Sequence, residues 1–255
     1  MSEAALEVSG LTRSFGGVRA CDNVSFTVPH GHLTAVIGPN GAGKTTVFNL
    51  VTNLYAADAG AVRFYGTPIL GLAPAEIAAM GLIRTFQSAR IYPGMTALEN
   101  ALAGAHLHIR AGAWRQMLWL GSARREEAAL TRKAEALLDL TGLSPFRDAA
   151  ATDLPMGGQK LLEVVRALMA EPRLLLLDEP AAGLNDAETA DLASLLRAVR
   201  DSGVTVMVVE HNMSLVMGVA DEVIVLDAGT IVAQGSPREI QRNERVIAAY
   251  VGQEA

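Results

Sequence analysis

The fold of this 255-residue chain is decided by one stretch, Gly38-Pro39-Asn40-Gly41-Ala42-Gly43-Lys44-Thr45-Thr46. The stretch fits the pattern G-x-x-x-x-G-K-[ST], in which glycines let the backbone bend tightly and bring its N–H groups against phosphate oxygens. A following helix directs the positive end of its dipole at the same anion. In this pattern Lys44 supplies a charge for the β- and γ-phosphates of a nucleotide, and the Thr45 hydroxyl is a ligand for Mg²⁺. We call residues 38–46 the phosphate loop.

The alternative is a chance glycine-rich turn, which average residue usage would produce in roughly one chain in a hundred of this size. A true phosphate loop also requires a hydrophobic strand before it and a helix after it. The sequence meets both requirements, because residues 33–37 predict a short apolar strand and residues 45–54 predict a helix. The context therefore favours phosphate binding.

The bulk composition narrows the class of protein. The net charge of −6 argues against a nucleic-acid binder, whose footprint is usually a basic face. The one cysteine, Cys21, allows no intrachain disulfide and no cysteine metal cluster, and a small buried residue is the expected role. The first nine residues do not resemble a secretory signal, and no run of about 18 apolar residues occurs. We therefore expect a cytosolic protein that reaches a membrane only through a partner.

Apolar strands are predicted on both sides of a helical block. Residues 6–11 and 23–28 predict strands near the N-terminus, and a helical block covers residues 96–140. The alternation of strand and helix then resumes, with continuous apolar strands at 174–177 and 204–209 of the kind buried in parallel sheets. This order predicts an α/β domain with a mainly parallel sheet, helices on both faces, and ligand at the carboxyl ends of the strands.

An acidic pair follows one of these strands. Four leucines place Asp178 at the carboxyl end of a buried strand, where a carboxylate meets the Mg²⁺ held by the phosphate loop. Strand alternation predicts that Glu179 points to the opposite side, where it can activate a water as a general base. The alternative is that both acids only solvate a strand end. The phosphate loop in the same chain favours the catalytic interpretation.

Two further polar residues end predicted strands. His211 follows the strand at 204–209, and this position favours contact with the γ-phosphate or the attacking water over a purely structural histidine. Gln87 follows a predicted strand at 82–86, and its neutral amide can bind Mg²⁺ or a water. The alternative for Gln87 is an ordinary surface glutamine.

The order of these motifs resembles the ATP-binding subunit of ABC transporters over nearly the whole chain. Residues 38–46 correspond to that family's Walker A motif, and Gln87 corresponds to its Q-loop. Residues 154–159 correspond to the signature loop, residues 174–180 to the Walker B motif and His211 to the H-switch. Several local strings are similar to the ATPase subunits of branched-chain amino acid importers in particular: Arg84-Thr85-Phe86-Gln87, Glu179-Pro180-Ala181-Ala182-Gly183-Leu184-Asn185, Glu210-His211-Asn212-Met213 and Val246-Ile247-Ala248-Ala249-Tyr250-Val251-Gly252.

The resemblance implies a P-loop NTPase (RecA-like) α/β fold in a single nucleotide-binding domain, residues 1–255. Its mainly parallel sheet core would comprise residues 1–87 and 157–255, with an N-terminal antiparallel β subdomain and an inserted helical subdomain at about residues 88–156. The implied ligands are ATP and Mg²⁺. Phe15 matches the aromatic residue that stacks on adenine in this family, and the alternative for Phe15 is an ordinary core position.

The resemblance also implies that two subunits pair head to tail as a homodimer or a heterodimer. ATP would then lie between the phosphate loop of one subunit and the signature loop, residues 154–159, of the other. Gly157 and Gly158 of that signature loop would meet the γ-phosphate. The further partners implied are membrane permease subunits at the inner face of the cell membrane and, indirectly, a solute-binding protein.

The signature loop departs from the family pattern. Leu-Ser-Gly-Gly-Gln is usual there, whereas this chain has Pro155 for the serine and Met156 for the first glycine. Proline offers neither a hydroxyl nor an N–H. The amides of Gly157 and Gly158 and the start of the following helix are still available to a phosphate. Asn185 stands where many family members have aspartate. We nevertheless predict that ATPase activity is retained.

The predicted function is ATP hydrolysis that energises an importer of branched-chain or other amino acids. The alternatives are a related system for urea or amide import or lipid export, a soluble ABC ATPase acting on nucleic acid, and a scaffold that binds nucleotide without turnover. A single phosphate loop and the absence of sustained heptads argue against the nucleic-acid alternative. The presence of Lys44, Asp178, Glu179 and His211 argues against the scaffold.

Overall fold

The computed structural model describes residues 3–85, 91–107 and 121–251, without the side chains of residues 107, 121–123 and 249–251. The strands are β1 (Ala4–Phe15), β2 (Val18–Pro29), β3 (Leu33–Ile37), β4 (Ala59–Phe64), β5 (Thr67–Pro68), β6 (Leu82–Arg84), β7 (Leu174–Asp178), β8 (Thr205–Val209), β9 (Glu222–Asp227) and β10 (Thr230–Gly235). The α-helices are α1 (Lys44–Val51), α2 (Pro74–Ala79), α3 (Ala97–Ala103), α4 (Gly121–Leu140), α5 (Met156–Met169), α6 (Asp186–Asp201), α7 (Met213–Val219), α8 (Pro237–Gln241) and α9 (Glu244–Val251). Short 3₁₀ segments occur at Gly104–Leu107, Ser144–Phe146 and Ala151–Asp153.

The chain divides into two compact units. The first comprises Met1–Arg84, Arg173–Ala181 and Leu196–Ala255, and the second comprises Thr85–Pro172 and Ala182–Leu195. The first unit contains both β-sheets, and the second contains α3, α4, α5 and the start of α6. The predicted division into a core and an insert at residues 88–156 stays a prediction.

A six-stranded sheet forms the centre of the first unit, in the order β10-β9-β3-β8-β7-β6. The five strands from β9 to β6 run parallel, and β10 pairs antiparallel with β9. Every residue of β3, β7 and β8 is buried, as expected for strands covered on both faces. These three strands are neighbours, so the loops that follow them emerge side by side at one edge of the sheet.

A second sheet of the same unit is antiparallel, in the order β2-β1-β4-β5. Its inward side chains and those of the parallel sheet enclose one apolar core around α1, in which Phe48 and Phe64 are the largest fully buried side chains. Cys21 is fully buried in this core, and burial raises the pKa of its thiol to about 11. The expected role of Cys21 as a small core residue is confirmed.

The second unit is helical in its described part. Thr96 caps α3, because its hydroxyl accepts from the Glu99 N–H while the Glu99 carboxylate accepts from the Thr96 N–H. Asn100, fully buried, donates through its side-chain amide to the carbonyls of Tyr92 and Thr96 and accepts from the Tyr92 N–H. These bonds fix the loop that precedes α3.

The predicted fold class is confirmed, although several predicted elements have different bounds. The strands predicted at 6–11 and 23–28 are parts of the 12-residue strands β1 and β2. Their outer parts carry polar side chains and irregular register, which hide the period of two from the sequence. Over the described residues, no helix has the length and apolar character needed to cross a membrane.

Candidate functional site

The phosphate loop connects the end of β3 to the start of α1, and two of its glycines are enclosed by backbone. At Gly38, with φ +150°, a Cβ atom would lie 2.0 Å from the carbonyl oxygen of Leu226. At Gly43, with φ +98°, a Cβ atom would lie 2.3 Å from the carbonyl oxygen of Ala20. These distances are far below any normal contact, so only glycine fits the path that this loop takes between its neighbours.

The loop presents backbone donors at the start of α1. The first hydrogen bond of this turn runs from the Val47 N–H to the Gly43 carbonyl at 2.9 Å. The N–H groups of Lys44, Thr45 and Thr46 therefore have no acceptor inside the helix. Such a set of donors at the positive end of a helix is an anion-binding arrangement.

Lys44 lies against the same loop. Its ammonium group donates to the carbonyl of Gly38 at 2.7 Å and to that of Pro39 at 2.9 Å. An ammonium has three donors, and among the described residues these two bonds leave one N–H for a further acceptor. Burial lowers the pKa of Lys44, and the negative charges of Glu179 and Asp178 oppose that shift. Three residues from two motifs are thus electrostatically coupled.

A cleft of about 200 Å³ opens over the phosphate loop. Glu179 lines it together with seven consecutive loop residues and one residue of β2: Asn40, Gly41, Ala42, Gly43, Lys44, Thr45, Thr46 and Ala20. The structure therefore brings the predicted base next to the predicted phosphate site. Ala20 was not predicted, because nothing local in the sequence indicates that its carbonyl lies against Gly43.

Asp178 ends β7 and carries a buried carboxylate beside the buried guanidinium of Arg84. Its Oδ2 accepts from Arg84 Nη2 at 2.8 Å, and only 2% of its side chain is exposed. Burial raises the pKa of the Asp178 carboxyl, and the hydrogen bond and charge of Arg84 act in the opposite direction. The second oxygen, Oδ1, is buried and accepts no hydrogen bond from the described residues.

An orphaned carboxylate oxygen beside the phosphate loop fits a divalent cation. Over the described residues, no cluster of three or more Asp, Glu, His or Cys side chains forms a complete protein cage for a metal. Mg²⁺ suits this arrangement, because it is usually held by one or two protein oxygens together with substrate phosphates and waters. The chemistry of Asp178 and Thr45 therefore fits Mg²⁺.

Glu179 reaches the cleft by a different route from the one predicted. The strand ends at Asp178, and Glu179 has φ +49°, in the left-handed region, so the argument from strand alternation was wrong. Its backbone N–H donates to the Val209 carbonyl at 2.9 Å, which ties this turn to β8. The backbone turn after β7, rather than the pleat of the strand, directs the side chain towards the cleft.

His211 follows β8 at the same edge of the sheet, and its side chain is exposed. The residue before it, Glu210, is fully buried. The Glu210 carboxylate accepts from the N–H of Ala181 at 2.7 Å, of His211 at 3.1 Å and of Asn212 at 3.2 Å. One carboxylate thus joins the loop after β7 to the loop after β8. The sequence analysis missed this role, although an acid directly before His211 is a visible signal.

Phe15 is the predicted contact for the adenine. Phe15, at the end of β1, is 38% exposed and packs edge-on against Tyr55, with ring centroids 5.3 Å apart. It is therefore a surface residue and not part of the buried core. Neither Phe15 nor His211 lines the 200 Å³ cleft within the described part of the chain. Gln87 lies outside the described residues.

The signature loop belongs to the second unit and enters α5. Pro155 is the N-cap of this helix, with φ −52° and ψ 156°, and provides no side-chain cap. Gln159 fixes the loop, because its side-chain amide donates to the Leu154 carbonyl at 2.9 Å and its N–H donates to the Pro155 carbonyl at 3.0 Å. The N–H groups of Gly157 and Gly158 lie in the first turn, where they have no acceptor inside the helix.

The signature loop packs against the segment that begins α6 in the same unit. A Cβ atom at Gly157 would lie 2.3 Å from Glu188 Oε1, and a Cβ atom at Gly183 would lie 2.9 Å from the sulfur of Met156. Glu188 also accepts from the Asn185 N–H at 2.9 Å, while the Asn185 side chain accepts from the Glu188 N–H. Asn185 therefore acts as a cap for α6, a role that the sequence analysis missed.

The architecture and the motifs together define the class of protein. Residues 21–182 match the family described as ABC transporter. A solved ATP-binding cassette of an ABC transporter in its ADP conformation is 32% identical, with a TM-score of 0.83, over 98% of this chain and 99% of that one. The chain therefore belongs to the ABC transporter family, as one of its ATP-hydrolysing cassettes.

The similarity extends to a particular group within the family. Residues 230–255 match the family described as branched-chain amino acid ATP-binding cassette transporter. The high-affinity branched-chain amino acid transport ATP-binding protein BraF of Pseudomonas aeruginosa is 42% identical over 99% of this chain and 100% of its own length. The corresponding protein LivG of Escherichia coli is 39% identical over the same shares.

Proposed function

We propose that this chain hydrolyses MgATP at the edge of the parallel sheet and so drives an importer of branched-chain amino acids. The observation that carries the proposal is the convergence of Lys44, Asp178 and Glu179. Glu179 lines the cleft over the phosphate loop, and both acids are electrostatically coupled to the Lys44 ammonium. A cation, a buried carboxylate and a second acid beside orphaned backbone donors are the parts that phosphoryl transfer needs.

The phosphate loop holds the nucleotide in this proposal. The backbone donors of residues 38–46 bind phosphate oxygens, and the remaining N–H of Lys44 reaches the β- and γ-phosphates. Phe15 stacks on the adenine from the exposed end of β1. Stacking on Phe15 sets affinity for the nucleotide, whereas the Lys44 ammonium is also catalytic, because it stabilises the charge on the phosphate oxygens during transfer.

Mg²⁺, when bound, neutralises phosphate charge and orients the γ-phosphate for attack. The residues that would hold the ion are Thr45 through its hydroxyl oxygen, Asp178 through Oδ1 and, by the family resemblance, Gln87. The buried environment of Asp178 strengthens this interaction, because few waters compete for the carboxylate.

Glu179 is the general base in this proposal. Its half-buried carboxylate accepts a proton from a water in line with the γ-phosphate. His211 contacts the same water or the γ-phosphate from the neighbouring loop. Glu210 keeps the two loops together through its bonds to the Ala181 and His211 N–H groups.

The site is composite, so a second ATPase subunit completes it. The N–H groups of Gly157 and Gly158 at the start of α5 bind the γ-phosphate held by the partner's phosphate loop. Closure of the dimer on ATP and its reopening after hydrolysis would move the permease subunits at the inner face of the membrane. A homodimer and a heterodimer with a sister ATPase both fit the residues, and a solute-binding protein delivers the solute.

Release of γ-phosphate by the purified protein tests the enzymatic part. We expect Mg²⁺-dependent hydrolysis that falls by about 10²- to 10⁴-fold in Glu179→Gln, because the water loses its base. ATP binding should persist in this variant, since the phosphate loop is unchanged. Hydrolysis that is equally fast in Glu179→Gln would refute the assignment of the base.

The solute requires a separate measurement. We expect uptake of labelled leucine, isoleucine or valine by cells that express the chain with its permease and solute-binding proteins, and loss of that uptake in Glu179→Gln. Uptake of urea or amides in place of these amino acids would reassign the solute without affecting the enzymatic proposal.

A further inference from the structure

Arg84 is a buried arginine that the functions proposed above do not use. It is the last residue of β6, the edge strand of the parallel sheet, and pairs in register with Leu176 of β7. Only 7% of its side chain is exposed. Burying a guanidinium costs free energy unless hydrogen bonds compensate for the lost water, so this side chain must be paired inside the protein.

The guanidinium of Arg84 joins the Walker B strand to the helix that follows the phosphate loop. Nη2 donates to Asp178 Oδ2 at 2.8 Å. Nη1 donates to Asn49 Oδ1 at 2.7 Å and to Thr52 Oγ1 at 3.1 Å. The guanidinium carbon also lies 5.6 Å from the ring centroid of Phe48 on α1. Arg84 therefore has one anchored side on α1 and one side on the carboxylate.

The two oxygens of the Asp178 carboxylate have different surroundings. Oδ2 is occupied by Arg84, while Oδ1 accepts no hydrogen bond from the described residues. A carboxylate held at one oxygen cannot rotate freely, so the other oxygen keeps one direction. Partners that orient a ligand in this way are a recurrent part of metal sites.

We propose that Arg84 is a positioning residue for the magnesium ligand: anchored on Asn49 and Thr52, it holds Asp178 Oδ2 so that Oδ1 is presented to Mg²⁺. This inference rests on the proposed MgATP site. It explains why arginine stands here, because a planar fork can bond two acceptors in fixed directions and an ammonium cannot do so with the same geometry.

A purely structural ion pair would have a different signature. It would stabilise the fold, and its loss would lower stability without changing how binding of nucleotide depends on metal. The positioning role predicts weaker metal binding with unchanged nucleotide binding in the absence of metal. The donors of the phosphate loop do not depend on Arg84, whereas the direction of Oδ1 does.

The decisive variant is Arg84→Lys, which keeps the positive charge and thus keeps the electrostatic repulsion of the metal. The probe is Mn²⁺, whose binding to the purified protein with ADP is measured by electron paramagnetic resonance. We expect the dissociation constant for Mn²⁺ to rise about tenfold, the lower end of the usual range for such partners. The affinity for ADP in EDTA, measured by calorimetry, should not change.

A second variant leaves both members of the ion pair in place. Asn49→Ala removes an anchor of Arg84 but leaves Asp178 and its partner intact, so a smaller rise in the same direction is expected. The matched control is Arg200→Lys, which alters a half-buried arginine that bonds Asp201 and Asp221 in the same unit. It should leave both Mn²⁺ and ADP binding unchanged.

The outcomes separate the two proposals. If Arg84→Lys and Asn49→Ala bind Mn²⁺ as the wild type does, or more tightly, the positioning role is refuted while the MgATP site stands. If both variants lose ADP binding in EDTA to the same extent as metal binding, Arg84 is only structural. If the wild type itself shows no metal-dependent nucleotide binding, the proposed function fails.

Discussion

The phosphate loop and the signature loop are both glycine-bearing turns at the start of a helix, yet their glycines are enclosed by different neighbours. Gly43 faces the backbone carbonyl of Ala20, in β2. Gly157 faces the carboxylate of Glu188, at the end of a flexible side chain. A strand backbone cannot yield without breaking its sheet, whereas a side chain can change rotamer.

The difference explains why the two loops follow their family pattern with different strictness. In the phosphate loop, the backbone of neighbouring strands sets the space at Gly38 and Gly43, and every position of the pattern is present. In the signature loop, Pro155 fits the extended conformation of an N-cap and Met156 is 63% exposed, so both unusual residues are accommodated without cost to the core. Variants at Gly43, Gly157 and Pro155 test this contrast, and a variant at Glu210 tests the loops that carry Glu179 and His211.

The largest effect is expected for Gly43→Ala. Its Cβ would lie 2.3 Å from the Ala20 oxygen, and φ is +98°. Strain and overpacking together should lower the free energy of unfolding by about 2–5 kcal/mol and abolish ATP binding. Chemical denaturation and calorimetry measure the two quantities. Gly41→Ala is the control, because its φ is +82° but no atom lies within 4 Å, so a milder loss is expected.

Glu210→Gln should have the next largest effect. The amide keeps the shape of the carboxylate but offers one acceptor oxygen to the three backbone N–H groups, of Ala181, His211 and Asn212. We expect stability to fall by about 1.5–3 kcal/mol and hydrolysis to slow, because the loops that carry Glu179 and His211 separate. ATP affinity should change little. Unchanged hydrolysis would show that Glu210 does not hold the two loops in register.

Gly157→Ala should be milder than Gly43→Ala. The added methyl displaces the Glu188 side chain, so we expect a loss of about 1 kcal/mol or less in stability and slower hydrolysis with normal ATP binding. In the Glu188→Gly background the added methyl meets no side chain at position 188. Gly157→Ala should therefore lower stability less in that background than in the wild type. If no coupling appears in this double-mutant cycle, the Glu188 side chain is not what excludes a larger residue.

Pro155→Ser, which restores the usual family residue, should have the smallest effect. Serine can cap α5 through its hydroxyl, a gain of about 0.5–1 kcal/mol that is offset by the greater freedom of the unfolded chain. A net change in stability of at most this size shifts the melting temperature by only a few degrees. We expect ATPase activity close to that of the wild type. A large rise in ATPase activity would mean that the native signature loop is impaired.

The sequence was sufficient for several features that are local. β3 has the predicted bounds, the phosphate loop has the predicted strand and helix around it, and the cap at Thr96 has the Thr-x-x-Glu pattern that is visible in the sequence. These features follow from short-range periodicity, turn chemistry and capping. The order of the motifs also indicated the fold class correctly.

The contacts that organise the site were not predictable in this way. The pair Arg84–Asp178 is separated by 94 residues and the bond from Ala181 to Glu210 by 29. Periodicity carries no information at such separations. The predicted orientation of Glu179 was wrong for a related reason, because the residue has a left-handed φ in a turn whose N–H bonds to Val209 of β8.

The central claim is that each subunit contributes half of each ATP site, and mixing two inactive variants tests it most directly. Lys44→Ala has an intact signature loop, and Gly158→Asp has an intact phosphate loop. Neither should hydrolyse ATP alone, whereas their mixture contains dimers with one complete site. We predict that phosphate release by the mixture clearly exceeds that of either variant. A mixture as inactive as its components, under conditions in which the wild-type chain alone hydrolyses ATP, would contradict the composite site.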